Sequence, residues 1–458
     1  MKNVIFRMFN EKGHLYPAFT LAAKLERTGS YRAIFIASKE LKDEICARGF
    51  CFELEMDYDN VVAQYRHYLG KVPQSWLERF QFSRRQDPLE FPSAFLAYVD
   101  SLVVKYSPAF VLVDELHVNY TIGFQGRGIL LITLSTYLLS YRDECVPPPN
   151  SSVIPNGKLL NTARIWLQWM NVFFQRRIQQ TLLFIKYPGG DYYYKKLAKK
   201  KGYNYLSRVS GSKYYWIDDV KLEKLVMSPP WMDFPRKPAG NIHYIESCVD
   251  ISRDNAWCSW NKIDQSLPLV FCSLGTQSGK HAKDSAAFLE KVITVFTSLP
   301  AVNLVVASGG QLAAGFNMEL PGNIIIHERV PQIDILHRAD LMITHGGLGS
   351  VKECMRMGVP MLAYPINLDV DQPGNAARIV YHKIGRRGDL RTDSEAEILQ
   401  NIQEMLNNPL YKSNIRSFQQ KMTDWDEKEH FLTFLQSRLP GFSVQKSESD
   451  TTQGVLVK

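Results

Sequence analysis

The sequence lacks the marks of a stapled fold. Its 458 residues hold seven cysteines, an odd number, and no C-x-x-C pair occurs among Cys46, Cys51, Cys145, Cys248, Cys258, Cys272 and Cys354. That pattern speaks against a zinc ribbon or a disulfide framework and fits a reducing compartment. Long apolar runs are missing too. The longest, GILLITLSTYLLSY at 128–141, is too short and too polar to span a bilayer. Near the N-terminus, Arg7 interrupts MKNVIFRMFNEKGH after four apolar-side residues, so no signal-peptide core fits and a cytoplasmic location is expected. Zinc-finger, RNP and helix-turn-helix patterns are absent, so no nucleic-acid partner is expected. What remains is ordinary for a globular protein: 45% apolar and 22% charged residues, with a formal charge of +8. At about 100–200 residues per domain, the length suggests two to four domains.

The first half alternates strand and helix. NVIFRMF (3–9), YRAIFIAS (31–38), FVLVD (110–114) and GILLITLS (128–135) read as buried strands. LYPAFTLAAKLERTG (15–29) and LKDEICARG (41–49) read as helices closed by glycine. Such alternation indicates an α/β fold with a parallel, doubly wound sheet. Two aromatic excursions interrupt it, at 60–105 and 160–203, and are expected to help build a substrate pocket. SPPWMDFPRKPAGN (228–241) marks a connection, which places a first domain at 1–240 and a linker at 241–267. The alternation then restarts over 268–423, with strands at 268–275, 303–308, 323–327, 341–345 and 360–365 and an amphipathic helix at 285–299. A final helix is expected from about 424 to 438, in a segment 424–442 packing back toward the first domain, before a polar tail at 443–458.

The sharpest signal is RVPQIDILHRADLMITHGGLGSVKECMRMGVPMLAYPINLDVDQPGNAARI (329–379). Strand LMIT runs into His345-Gly346-Gly347 and then a helix. A helix N-terminus offers free backbone N–H groups and the positive end of its dipole, and glycine lets an anion approach closely, which suits a phosphate. The turn is neither the dehydrogenase G-x-G-x-x-G nor a P-loop.

This stretch resembles the donor-binding signature of the UDP-glycosyltransferase family, through Pro331-Gln332, His345-Gly346-Gly347, Ser350, Glu353, Gly358-Val359-Pro360, Pro365, Asp371-Gln372 and Asn375-Ala376. The likeness extends to GHLYPAFTLAAKL (13–25), FVLVD (110–114) and CSLGT (272–276). The DQPGNAARI ending is similar to the bacterial branch that includes carotenoid and other natural-product glycosyltransferases. The resemblance implies the GT-B fold, two Rossmann-like domains facing across a cleft, with the acceptor on the first and the nucleotide sugar on the second. It implies that Gln332 meets the uracil edge and Glu353 the ribose hydroxyls. Ser350, His345 and Thr276 would hold the diphosphate beside Gly347 and Gly349, and Asp371 and Gln372 the sugar. Arg329 stands where many relatives place an aromatic residue, so its guanidinium would stack on the base or, turned to solvent, leave the base to Val330 and backbone groups.

His14 follows the first strand, at the carboxyl edge where doubly wound sheets bind ligands. An imidazole there can take the proton of an attacking acceptor hydroxyl. Asp114 ends another strand at the same edge and could hold the second ring nitrogen; Glu115, next to it, is the other candidate. The expected reaction is therefore an inverting transfer of a hexose from a nucleoside-diphosphate sugar, most simply UDP-hexose, to an apolar small-molecule acceptor. No metal or bound cofactor is expected, since the D-x-D patterns at Asp57–Asp59 and Asp369–Asp371 have no supporting ligand set. A sugar-nucleotide epimerase and a non-catalytic helper are the competing readings. YYYKKLAKKKGY (192–203) combines basic and aromatic residues, compatible with a solvated helix face or with peripheral membrane contact.

Overall fold

The computed structural model describes residues 1–56, 75, 91–186, 192–204, 219, 221–237, 240–251, 260–275, 278–310, 320–440 and 442, apart from the side chains at 91, 92, 180, 183–186, 192–196 and 278. Thr276, Asp57 and Asp59 lie outside the described residues.

Among these residues, a first sheet joins β1 (Lys2–Arg7), β2 (Tyr31–Ala37), β3 (Cys51–Leu54), β4 (Phe110–Asp114), β5 (Leu130–Ser135), β6 (Glu223–Val226) and β7 (Ile242–Tyr244). Their order is β3-β2-β1-β4-β5-β6-β7, and each neighbouring pair is parallel. The central strands are covered on both faces, which is why they read as continuous apolar runs rather than alternating ones. On one face α1 (Lys12–Arg27) and α2 (Lys42–Ala47) bury Leu15, Phe19, Ala22 and Ile45 against Phe6 and Phe35. On the other, α3 (Phe91–Tyr106), α4 (Val118–Phe124) and part of α6 (Tyr192–Lys201) pack Phe95, Ile122 and Leu197 onto Val111 and Val113. Between α4 and α6 runs the long helix α5 (Leu159–Lys186).

The second sheet joins β8 (Leu269–Ser273), β9 (Asn303–Ala307), β10 (Ile324–His327), β11 (Leu341–Thr344), β12 (Met361–Ala363) and β13 (Gly385–Arg387) in the order β10-β9-β8-β11-β12-β13, again parallel throughout. Its helices are α7 (Ala282–Thr297), α8 (Gln332–Leu336), α9 (Leu348–Met357), α10 (Gln372–Tyr381), α11 (Glu395–Asn407) and α12 (Pro409–Asp426). In both sheets the strand order reverses once, between β1 and β4 and between β8 and β11. Loops leaving the carboxyl ends on either side of such a reversal part company, and the crevice between them binds ligands.

Three expectations change. Ile242–Tyr244 pairs with β6, so the first sheet continues past residue 240 into the stretch read as linker. This edge strand is three half-buried residues long and leaves no apolar run to read. The final helix is broken: α12 ends at Asp426, and α13 (His430–Arg438) starts after Glu429, whose φ of 49° is left-handed. The turn brings Phe431, Leu432 and Leu435 into the core of the first sheet, a contribution of about 1.5–3 kcal/mol for each buried side chain. Helix α1 begins at Lys12, so His14 sits in its first turn rather than ahead of it.

Buried polar contacts tie the halves together. Lys352 of α9 donates to the carbonyls of Met227 (2.9 Å) and Ser247 (2.8 Å). Asp233 accepts from Arg378 Nε at 2.8 Å and from Arg236 Nε at 2.6 Å. At Gly374 a Cβ would lie 2.1 Å from the Pro149 carbonyl oxygen, so only glycine permits that approach. Among the described residues, no helix is long and apolar enough to cross a membrane.

Candidate active site

The reversal in the first sheet places His14, just past β1, beside Asp114, the last residue of β4. His14 Nδ1 lies 2.6 Å from Asp114 Oδ2 and 2.9 Å from Thr136 Oγ1. A carboxylate on Nδ1 keeps the proton on that nitrogen and leaves Nε2 as an acceptor. Asp114 is itself held in place: it accepts from the backbone N–H of Leu116 at 3.0 Å and of Phe9 at 3.4 Å. Burial works against the imidazolium, but the Asp114 carboxylate, with Glu11 and Glu115 adding to it, overrides burial and holds the His14 pKa above the usual histidine value. Burial likewise opposes the Asp114 carboxylate, and His14 with His117 and the Leu116 amide keeps its pKa below the ordinary one.

Glu115 is not the partner. Its carboxylate accepts from Lys224 Nζ (2.6 Å) and Ser135 Oγ (2.7 Å), in a buried ion pair on the far side of the strand end. Four residues missing from the sequence reading complete the surroundings. Tyr137 sits edge-on to the His14 ring, its hydroxyl 3.1 Å from Nε2, and burial pushes its pKa up. Thr136 and Tyr137 follow β5 at the same carboxyl edge, since Asp114 is in register with Leu134. Applying the edge rule to this third strand would have found both. Arg7 is buried, paired with Glu55 and placed over the Tyr120 ring, and His117 is driven to a pKa of about 3 by burial with Arg7 nearby.

The reversal in the second sheet brings Gly275, after β8, against His345, after β11. A Cβ at Gly275 would be 2.3 Å from the ring, and one at Gly347 would be 2.4 Å from Nε2, so the imidazole is clasped between two glycines. Burial lowers its pKa to about 4, partly offset by the Ser273 backbone, so it is neutral at physiological pH. Helix α9 begins immediately after Gly347 and points its N-terminus at the same place, with Gly349 exposed and Ser350 half-buried in the first turn. One turn further, Glu353 accepts from Gln332 Nε2, which also lies 3.3 Å from Ser350 Oγ. Gln332, Ser350 and Glu353 thus form one cluster across α8 and α9. Arg329 is exposed, and Val330 packs half-buried on the second core.

On α10 and the turn before it, Asp371 is half-buried and accepts from Asn375 Nδ2 at 2.9 Å; burial raises its carboxyl pKa. Its charge is felt by both His14 and Tyr137, so the two halves of the cleft meet here. Asn375 also donates to the Gly346 carbonyl (2.9 Å), bracing the glycine turn. Gln372 accepts through Oε1 from the backbone N–H groups of Ile366 and Asn367 at 2.9 and 3.0 Å, which leaves its amide N–H groups as the side suited to a sugar hydroxyl. Asp369 is exposed. Among the described residues, no group of three or more His, Cys, Asp or Glu side chains could hold a metal ion.

The model of the family described as UDP-glucoronosyl and UDP-glucosyl transferase matches residues 172–424. The chain is 29% identical over 183 residues to the oleandomycin glycosyltransferase of Streptomyces antibioticus, covering 40% of this chain and 41% of that one. It is 27% identical over 222 residues to the zeaxanthin glucosyltransferase of Pseudescherichia vulneris, covering 48% of this chain and 51% of that one. The match therefore spans about half or less of the length of these curated relatives. Among solved structures, the glycotransferase of kitacinnamycin superposes with a TM-score of 0.65 at 18% identity, over 96% of this chain and 99% of that one. The calicheamicin glycosyltransferase CalG4 gives 0.64 at 17%, over 96% and 100%. At such identities the likeness shows the fold, which is GT-B.

Proposed function

The chain belongs to the UDP-glucoronosyl and UDP-glucosyl transferase family, and from that premise we propose that it transfers a hexose from UDP-hexose to a hydroxyl of an apolar small molecule or natural product, with inversion and without a metal ion. The observation that carries the reading is the buried His14–Asp114 pair, 2.6 Å apart at the sheet reversal, with Asp371 of the other domain within electrostatic reach of His14.

In this reading the acceptor hydroxyl replaces the Tyr137 hydroxyl at His14 Nε2. Its proton passes to Nε2 as its oxygen attacks the anomeric carbon from the face opposite the diphosphate. The sugar–phosphate C–O bond breaks, and UDP departs toward the N-terminus of α9. Asp114 stabilises the imidazolium that forms. The charge of the leaving diphosphate is met by the helix dipole, by free N–H groups around Gly347 and Gly349, by Ser350 and by a hydrogen bond from neutral His345. Glu353 exchanges Gln332 for the two ribose hydroxyls, and Gln332 turns to the uracil. Arg329 and Val330 flank the base, while Asp371 and Gln372 take sugar hydroxyls. Thr276 would add a phosphate contact. The apolar acceptor and the natural-product substrate class follow the oleandomycin and zeaxanthin enzymes named above.

The test is UDP release from UDP-hexose with and without an apolar hydroxyl acceptor, for wild type and His14→Ala. The expected result is acceptor-dependent release that the substitution abolishes, with UDP affinity unchanged by calorimetry. Sugar interconversion without acceptor would identify an epimerase, and turnover by the intact variant would remove His14 as the base.

A further inference from the structure

Helix α5 (Leu159–Lys186) presents an apolar face that stays exposed among the described residues. Trp166, Met170, Phe174, Ile178 and Leu182 recur every fourth residue, and Leu159, Leu160 and Leu167 lie among them on the same side. All eight are exposed, Trp166 by 50%, Leu167 by 59% and Phe174 by 64%. The opposite side is pinned to the protein: Ile165 and Trp169 are buried with Val153, and the Trp169 indole donates to the Val146 carbonyl at 2.8 Å. The helix is therefore ordered by one face while the other stays in water. Among the described residues, none of those eight side chains belongs to a buried core cluster.

The charge of this region points to what covers it. Residues 158–201 hold ten Lys and Arg and a single acidic residue, Asp191, a net +9 against +8 for the whole chain, so the chain's excess positive charge sits in this stretch. Lys158 is exposed just ahead of α5, Arg164 and Arg177 are exposed on it, and Lys199 and Lys200 are exposed on the following helix. A helix with Trp, Phe and Leu on one side, whose charged residues are all cations, suits the boundary between anionic headgroups and acyl chains. A second copy of the chain would bring two such cationic faces together, which their repulsion opposes.

We propose that the exposed face of α5 docks the protein onto an anionic lipid bilayer, with Trp166, Leu167 and Phe174 entering the acyl boundary and the flanking Arg and Lys meeting the headgroups. This goes beyond glycosyl transfer and does not depend on it.

The experiment is sedimentation of the full chain with vesicles of phosphatidylcholine alone or mixed equally with phosphatidylglycerol. Binding to the mixed vesicles at low salt is expected, weaker by roughly tenfold or more on the neutral vesicles and at high salt, where the Debye length is a few ångströms. The double variant W166S/F174S should lose binding by roughly tenfold or more, and R164E/R177E similarly on mixed vesicles only. These side chains are exposed, and an unchanged circular dichroism spectrum is the check that the variants fold. No binding to mixed vesicles, or wild-type binding by W166S/F174S, overturns the proposal. So does a concentration-dependent dimer in ultracentrifugation that W166S/F174S dissolves, which would make a second copy the occupant.

Discussion

A histidine whose Nδ1 faces a buried carboxylate is both oriented and made more basic, and these effects have separate signatures. Because the pair raises the His14 pKa, the neutral base is present only above that raised value. In the proposed reaction, kcat/KM should therefore fall as pH drops through a value above the ordinary histidine pKa of about 6.5. In Asp114→Asn the opposing effect of burial is no longer outweighed, so the acidic limb should move to lower pH while the plateau falls. A pH–rate profile of both proteins with an apolar acceptor measures this. An acidic limb at the same pH in both would detach Asp114 from the base. Glu115→Gln should move the limb less than Asp114→Asn, because Glu115 acts on His14 only through space while its hydrogen bonds serve Lys224 and Ser135. His345 makes the contrast: enclosed by two glycines, with burial and no carboxylate on it, it stays neutral and acts through a hydrogen bond rather than a charge.

At the scale of elements, α9 carries most of the proposed donor site. Its first turn supplies the dipole and Ser350, its second Glu353, and Lys352 between them anchors the helix to Met227 and Ser247 of the first half. Ligand-facing and anchoring residues thus alternate around one short helix, which Gly358 ends in a left-handed conformation. Glu353→Ala removes a charged acceptor without touching that anchor. It should weaken UDP binding by about 1.5–3 kcal/mol, the range for hydrogen bonds involving a charged group. Calorimetry with UDP is the measurement, and unchanged affinity would place the ribose elsewhere. Helix α5 shows the converse case, an element with apolar side chains on both its packed and its open face.

Across the whole molecule, the two halves are joined by buried polar groups as well as by apolar contacts, with Leu138 and Met232 in the core of the second sheet and Val146 and Phe234 against Ala377. Asp233 holds both Arg236 and Arg378, the latter on α10 just beyond the proposed sugar-binding residues. Asp233→Ala leaves a guanidinium buried without its partner and should cost about 3–5 kcal/mol of stability. Thermal or denaturant unfolding checks this, and a variant as stable as wild type would show that the pair does not hold the halves together. The same network sets where Asp371 stands relative to His14, so the loss should also lower transfer.

The alternation of buried strands and glycine-ended helices, the glycine turn at 345–347, the helix bearing Ser350 and Glu353, and His14 behind the first strand were all determined by the sequence itself. Each is local: a period of two or 3.6, a terminating glycine, or a motif of fixed spacing expresses itself within a few turns of chain. Partners across the sheet were decided only by the tertiary structure. His14 and Asp114 are separated by 100 residues, as the numbering shows, and which of two adjacent carboxylates meets the imidazole depends on strand register. In buried parallel strands an uninterrupted apolar run does not encode that register. The same holds for Tyr137 on Nε2, for the neutrality of His345 and for the strand at Ile242–Tyr244, all consequences of enclosure by distant segments. The open face of α5 belongs here as well. Apolar spacing along a helix records how many sides avoid water, and only the packed neighbours reveal which side still meets it.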